Sequence, residues 1–157
     1  MEARKATIGT VIHATLRNID LLEAFTEELE ALDEFDCHTD TILECKAHIA
    51  NNAEDEQGWS SLKWEEQADY LVNELLIDAL NDLALPYTYF GCTEGNGSDF
   101  GFWPSLSSLE EDVQMGEVTT DLTQVPEFYV EVNDHGNTTL FQFDQDDRQY
   151  KIVWEIV

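Results

Sequence analysis

The sequence predicts an α+β fold in which N-terminal helices pack on a C-terminal antiparallel β-sheet. Apolar residues recur at helical spacing up to Pro86, whereas the later segments are short, rich in aromatic and β-branched residues, and separated by turns. Hydrophobic residues make up 43% of the 157 residues, which is enough to build a core in spite of the charge. We therefore expect a single acidic domain over residues 1–157, with a helical half followed by a meander.

The helical half is expected to contain three helices after one extended segment. Residues 6–16 are rich in β-branched side chains and predict the extended segment, and Asn18 is a candidate cap for the next helix. The helices are predicted over residues 19–34, over residues 41–52, and from Ser60 or Ser61 to Leu83. Their apolar faces are Leu21, Leu22, Phe25, Leu29 and Leu32 on the first, and Trp64, Ala68, Leu71, Val72, Leu75, Leu76, Ala79, Leu80 and Leu83 on the longest.

The second half is expected to form strands, with one short helix among them. Strands are predicted over residues 87–92 and 100–103, a helix over residues 105–114, and a three-stranded meander over residues 127–133, 138–144 and 149–157. The meander turns at residues 134–137, where Gly and Asn tolerate left-handed backbone angles, and again at residues 144–148.

The charge balance is the strongest functional signal in the chain. Thirty-four Asp and Glu residues stand against seven Lys and Arg residues, which gives a formal net charge of −27. Self-repulsion opposes folding, and a net charge of about 2–8 is enough to keep a small domain soluble. The excess indicates either a very salty cytoplasm or a positively charged partner. The presence of cysteine and of many large apolar side chains argues against the first reading.

The acidic residues form rows along the predicted helices. The rows are Asp20, Glu23, Glu27, Glu30 and Glu34 on the first helix, Glu74, Asp78 and Asp82 on the longest, and Glu110, Glu111 and Asp112 on the short one. Like charges four residues apart destabilise a helix by about 0.2–0.5 kcal/mol per pair, so their repetition with almost no Lys or Arg between them suggests a function. Such carboxylates lie about 6 Å apart along the axis, and two or three adjoining rows approach the ~3.4 Å charge spacing of a DNA strand. We predict that these residues bind a partner by nucleic-acid mimicry.

The residue types that carry catalysis or metal binding lack the necessary spacing. Cys37, His38, Cys45 and His48 are zinc-ligand types, but the sequence has no C-x-x-C pair and no H-x₃₋₅-H pair. The acidic turn after Phe143 lacks the glycine and final Glu of an EF-hand loop, and no G-x-S-x-G motif is present. We expect no metal, no cofactor and no catalytic residue. The three cysteines are expected to be reduced and mostly buried.

Two segments of the second half carry a resemblance. Residues 90–104 read FGCTEGNGSDFGFWP, residues 133–140 read NDHGNTTL, and a terminal strand with Trp154 follows. They resemble a group of small, functionally uncharacterised proteins of phages and prophages, mainly over residues 85–157. The resemblance implies an origin in a mobile element and brings no activity with it.

The first of these segments is interpreted as structural. Its glycines let a tight hairpin close, and its aromatic residues fill the core; these are Phe90, Phe100, Phe102 and Trp103. The alternative is a binding pocket that uses Glu94 and Asp99.

The combined expectation is a phage-encoded anti-defence inhibitor of anti-CRISPR or antirestriction type. Its partner would be a basic nucleic-acid-binding host protein, a CRISPR surveillance complex or a restriction enzyme, in the host cell cytoplasm. The sequence predicts no direct nucleic-acid binding and no membrane span, and it leaves the oligomeric state open. The alternatives are another acidic interaction protein (an antitoxin, a histone-like chaperone or a virion component), a protein of different function whose acidity is an adaptation to high salt, or a small enzyme.

Overall fold

The structure of the protein, a computed structural model, describes residues 4–121 and 126–157. It confirms the α+β class, because helices predominate up to Asp82 and strands after it. The chain divides into two compact units, Met1–Ala84 with Tyr89–Trp103 and Leu85–Thr88 with Pro104–Val157.

The first unit combines helices with a three-stranded sheet. Its elements are strand β1 (Gly9–Ile12), helices α1 (Asn18–Leu32), α2 (Thr39–Ala50) and α3 (Leu62–Tyr70), a π-helical segment (Leu71–Leu76), helix α4 (Ile77–Asp82), and strands β2 (Thr88–Thr93) and β3 (Asn96–Pro104). The strand order is β1-β3-β2, and β1 runs antiparallel to β3. The predicted extended segment, the three helices and the hairpin are therefore all present.

Helix α1 packs its apolar face on this sheet. The whole predicted face of α1 is buried. Phe25 lies edge-on to two rings of the hairpin, 4.9 Å from Phe90 and 5.4 Å from Phe100 between ring centroids. Trp103 is half-buried, and its indole N–H donates to Gly91 O at 3.0 Å. The glycine–aromatic hairpin is thus part of the core, as the structural interpretation expected.

The π-helical segment interrupts the longest predicted helix, and it fits the spacing of the buried residues there. Buried residues of this helix recur every four residues, as Trp64, Ala68, Val72, Leu76 and Leu80. An α-helix has 3.6 residues per turn, so each step of four turns the face by about 40° and four steps turn it by about 160°. A turn with i→i+5 hydrogen bonds takes up extra residues and returns the face toward the core. The predicted uninterrupted α-helix was therefore wrong in this segment.

The two predicted helix caps behave differently. Ser61 accepts a hydrogen bond from Trp64 N at 3.2 Å and caps α3, as predicted. Asn18 does not cap α1; its amide donates instead to Glu65 Oε2 at 2.9 Å, 47 residues away. The interpretation of Asn18 was wrong because a long-range carboxylate competes for its side chain.

The second unit places one helix and a four-stranded sheet together. Its elements are helix α5 (Leu106–Met115) and strands β4 (Val118–Thr119), β5 (Phe128–Val132), β6 (Thr138–Asp144) and β7 (Gln149–Ile156), in the order β4-β5-β6-β7. Strands β5, β6 and β7 form the predicted antiparallel meander. Strand β4 was not predicted, and it pairs in parallel with β5. Because β4 has two residues, it is too short to show a periodic pattern in the sequence.

A bulge in β7 places the side chains of Trp154 and Ile152 on opposite faces of this sheet. Leu140 pairs with Trp154 and Phe141 pairs with Ile152, so Val153 is the extra residue. Trp154 is buried with Leu140, and its indole N–H donates to Pro86 O at 2.9 Å. Ile152 is exposed. The bulge therefore completes the core of this unit on one face only.

The cysteines are less buried than predicted. Cys45 is buried in α2, whereas Cys37 and Cys92 are exposed. Cys37 lies in the connection between α1 and α2, and Cys92 lies near the turn of the β2–β3 hairpin. All three are free thiols.

We expect Ellman's reagent to modify Cys37 and Cys92 in the folded protein and to spare Cys45 until unfolding. Burial raises the pKa of the Cys45 thiol to about 11, so that it is both inaccessible and protonated near neutral pH. Stopped-flow absorbance with and without guanidinium chloride measures the two classes. Rapid reaction of three thiols in native buffer would contradict the burial of Cys45.

Candidate partner-binding surface

The acidic row of the first helix lies on the solvent side of α1. Glu23, Glu27 and Glu30 are exposed, whereas the opposite side of the helix is buried. Glu34 is exposed as well, and it follows the end of α1 at Leu32. Spacings of three and four residues place the three helical carboxylates along one side.

Two members of this row already have partners. Glu30 Oε1 lies 2.5 Å from the ammonium nitrogen of Lys46 on α2. Asp20 is half-buried, and it accepts a hydrogen bond from the Thr15 hydroxyl at 2.6 Å. Within the described part of the chain, no side chain pairs with Glu23, Glu27 or Glu34. The row therefore presents its unpaired charge mainly through these three residues.

The second row begins inside the π-helical segment. Glu74 belongs to that segment, and Asp78 and Asp82 follow on α4; all three are exposed. Asp82 Oδ2 is 3.9 Å from His38 Nε2. Both rows belong to the first unit, and α1 contacts the π-helical segment and α4. The two rows are consequently carried by packed neighbouring helices.

The third group lies on α5 of the second unit and is not uniform. Glu110 and Glu111 are exposed. Asp112 is half-buried and accepts a hydrogen bond from the Tyr87 hydroxyl at 2.6 Å. Burial first, and then this hydrogen bond, raise the pKa of Tyr87 to about 12. Asp112 thus has an internal role, which leaves two carboxylates of the group facing solvent.

Several basic residues are neutralised within the protein. Arg4 pairs with buried Glu28 at 3.0 Å and Arg17 with Glu54 at 3.5 Å. Lys46 pairs with Glu30, and Lys151 pairs with Asp144. These internal pairs leave the acidic surface with little positive charge to offset it.

The candidate metal ligands are dispersed. Cys45 lies in the core, while Cys37 is exposed. The His48 ring stacks on Trp64 with ring centroids 4.7 Å apart. Among residues 4–121 and 126–157, no group of three or more His, Cys, Asp or Glu side chains could hold a metal ion.

The alternative pocket of the hairpin is not assembled by its two acids. Glu94 is exposed in the turn between β2 and β3, and Asp99 is half-buried on β3. Asp99 Oδ1 is buried without a hydrogen-bond partner among the described atoms. These placements put the two carboxylates in different environments.

Exposed apolar side chains are the feature that the sequence did not assign. Trp59, Phe35 and Leu16 are all largely exposed. Trp59 follows Gly58 in an acidic loop, so a Trp inside a polar segment was the available signal. Trp59 and Leu16 line one groove of about 420 Å³ in the first unit.

Comparisons of the chain with models of protein families, with curated proteins and with solved structures found no match. Within the described ranges, no helix is both long and apolar enough to cross a membrane.

Proposed function

We propose that this protein inhibits a nucleic-acid-binding protein by presenting carboxylates in place of phosphates. The observation that carries the proposal is the pair of acidic rows on neighbouring helices, in which Glu23, Glu27, Glu74 and Asp78 are exposed and have no cationic neighbour among the described residues. Repelling charges at this spacing cost stability, so their retention is explained if they bind a basic surface.

The mechanism is competition for one basic surface. A channel lined with Lys and Arg binds phosphates through charge-assisted hydrogen bonds, and protein carboxylates can accept hydrogen bonds from the same cations. Binding of the rows would exclude DNA or RNA from that channel. Attraction over the whole surface of a −27 chain would also accelerate the encounter.

The resemblance to phage and prophage proteins supports the biological setting of the proposal. A phage protein of this kind would act in the host cell cytoplasm, against a CRISPR surveillance complex or a restriction enzyme. It would be an anti-defence inhibitor rather than an enzyme, since binding alone blocks the target.

The direct test is capture of the target and its release by nucleic acid. Tagged protein is incubated at low salt with nuclease-treated lysate of bacteria that carry a defence system, and bound proteins are eluted with rising salt and identified by mass spectrometry. We expect the eluted partner to be a basic nucleic-acid-binding protein, and we expect duplex DNA or guide RNA to displace it from the tagged protein by competition. A partner without nucleic-acid affinity, or one that nucleic acid does not displace, would contradict mimicry.

We also expect the protein itself to leave DNA unbound at physiological salt. Two polyanions repel each other, and the seven basic residues are scattered along the chain rather than gathered in a patch. A gel shift with micromolar protein and mixed-sequence duplex measures this. Clear retardation of the duplex would overturn the proposal.

A further inference from the structure

The loop that carries Trp59 is held in one conformation by its own hydrogen bonds. Asp55 Oδ1 accepts from Gln57 N and Trp59 N, each at 2.9 Å. Asp55 N donates to Trp59 O at 2.8 Å, and Glu54 bridges to Ser60 across the base of the loop. Because the loop is closed on itself, the backbone at Trp59 is held in place before any partner arrives, which lowers the entropic cost of binding.

Two further contacts fix the other side of the groove. Arg17 Nη2 lies 3.5 Å from Glu54 Oε1, which ties the loop to the segment before α1. Asn18 donates to Glu65 Oε2 at 2.9 Å, which ties that segment to α3. These two contacts connect the segments that line the groove of about 420 Å³.

The groove exposes large apolar surface to water. Trp59 is 72% exposed and Leu16 is 66% exposed, and both line it. Adjacent exposed apolar side chains of this size are typical of interaction sites, and Trp is enriched among the residues that dominate binding energy. The exposure of Trp59 and Leu16 to water brings the isolated chain no stability.

The charges around the groove select the chemistry of its occupant. Arg17 and Glu65 are the charged residues that line the groove, and Glu54, Asp55 and Glu56 are exposed on the adjoining loop. Arg17 pairs with Glu54, so the other three carboxylates leave a negative surplus beside the groove, which attracts cations and repels phosphates. An exposed Trp can also stack a nucleic-acid base, but a phosphate backbone would have to approach this field.

We propose that this groove receives an arginine side chain of the partner protein, with the guanidinium stacked on Trp59 and the methylene stem along Leu16. Arginine combines a planar cation that stacks on aromatic faces with an apolar stem that covers aliphatic surface. The proposal rests on the proposed function in taking the partner to be basic. It adds an aromatic anchor that gives specificity, which dispersed charge alone supplies poorly.

Peptide titration tests the groove without the partner. A glycine-spaced peptide with three arginines is compared with its lysine and citrulline counterparts, by ¹H–¹⁵N NMR of the indole and backbone amide signals. The Trp59 signal is assigned by its loss in Trp59→Phe. We expect the arginine peptide to shift the Trp59 indole and the Leu16 amide, the lysine peptide to shift them less, and the citrulline peptide to leave them unmoved. Equal shifts from arginine and citrulline, or no shift at Trp59, would overturn the proposal.

Variants of the groove test the anchor with the captured partner. Trp59→Ala is expected to weaken partner binding about fivefold, and Trp59→Phe to restore part of the loss. Ile152→Ala, an exposed aliphatic truncation in the second unit, is the matched control and should bind normally. Circular dichroism and thermal melts verify that each variant folds. If Trp59→Ala binds normally while neutralising the α1 row abolishes binding, the groove proposal fails and the proposed function stands. If the peptides behave as expected but the captured partner does not bind nucleic acid, the proposed function fails alone.

Discussion

Replacing Glu23, Glu27 and Glu34 together with glutamine is expected to weaken partner binding about 100-fold while leaving the protein as stable as before. An exposed ion pair contributes up to ~1 kcal/mol, so each single replacement should weaken binding by about fivefold at most, and the three losses together account for the 100-fold effect. The slope of log K against log salt should fall by about three, one for each lost ionic contact. Helix α1 should hold or gain stability, because the repulsion between Glu23 and Glu27 disappears.

A second triple variant distinguishes the effect of the acidic row on α1 from the effect of total net charge. Glu131→Gln, Asp134→Asn and Glu155→Gln remove the same charge from exposed positions of the second unit. Titration calorimetry at several salt concentrations, with a thermal melt of each variant, provides the comparison. Equal weakening by the two triples would assign the effect to total charge. If the variant with Glu23, Glu27 and Glu34 replaced binds the partner normally, this row is not part of the contact surface.

Gly101→Ala is expected to destabilise the first unit by about 3 kcal/mol or to prevent its folding, because its new methyl group would collide with backbone. Gly101 on β3 pairs with Thr10 on β1. A Cβ atom built at Gly101 meets the Gly9 carbonyl oxygen, and it lies 2.8 Å from Gly9 C and 2.9 Å from Thr10 Cα. Backbone atoms of a paired strand cannot rotate away as a side chain would, so β1 must shift.

Gly97→Ala, in the same strand, is the control for this effect. A Cβ atom at Gly97 has no heavy atom within 4 Å, and its backbone angle is not left-handed. Its melting temperature should stay close to that of the parent chain, whereas Gly101→Ala should lower it by about 10 °C. Similar melting temperatures for the two variants would show that β1 is not held against β3 at this point.

The features that follow from local periodicity were predictable, and those that depend on distant residues were not. The buried face of α1 and the three strands of the meander emerge from spacing alone. Asn18 shows the other case, since its amide is taken by Glu65. The four-residue repeat that accompanies the π-helical segment was present in the sequence. Over one or two turns, however, a spacing of four residues cannot be told from the 3.6 residues per turn of an α-helix.

The same division applies to the candidate surface. The acidic rows were visible because their members lie on single helices, and most of them are exposed. The neutralisation of Glu30 comes from Lys46 on the next helix, and the restraint of Asp112 comes from Tyr87, 25 residues earlier. The Trp59 groove joins residues 16–19 to residues 58–65, so only the folded chain brings Leu16 beside Trp59.

The π-helical segment also sets the direction in which the last carboxylates of its helix point. An α-helix advances about 100° per residue, and a π-helical turn takes up about one residue more than an α-helical turn. If Leu71–Leu76 were wound as a regular α-helix instead, everything after it would rotate by about that angle, so that Ala79 and Leu80 would leave the core and Asp78 and Asp82 would turn to another side. Deletion of one residue from this segment is therefore expected to leave the direction of Asp78 and Asp82 unchanged, because it removes the extra residue that the π-helical turn accommodates.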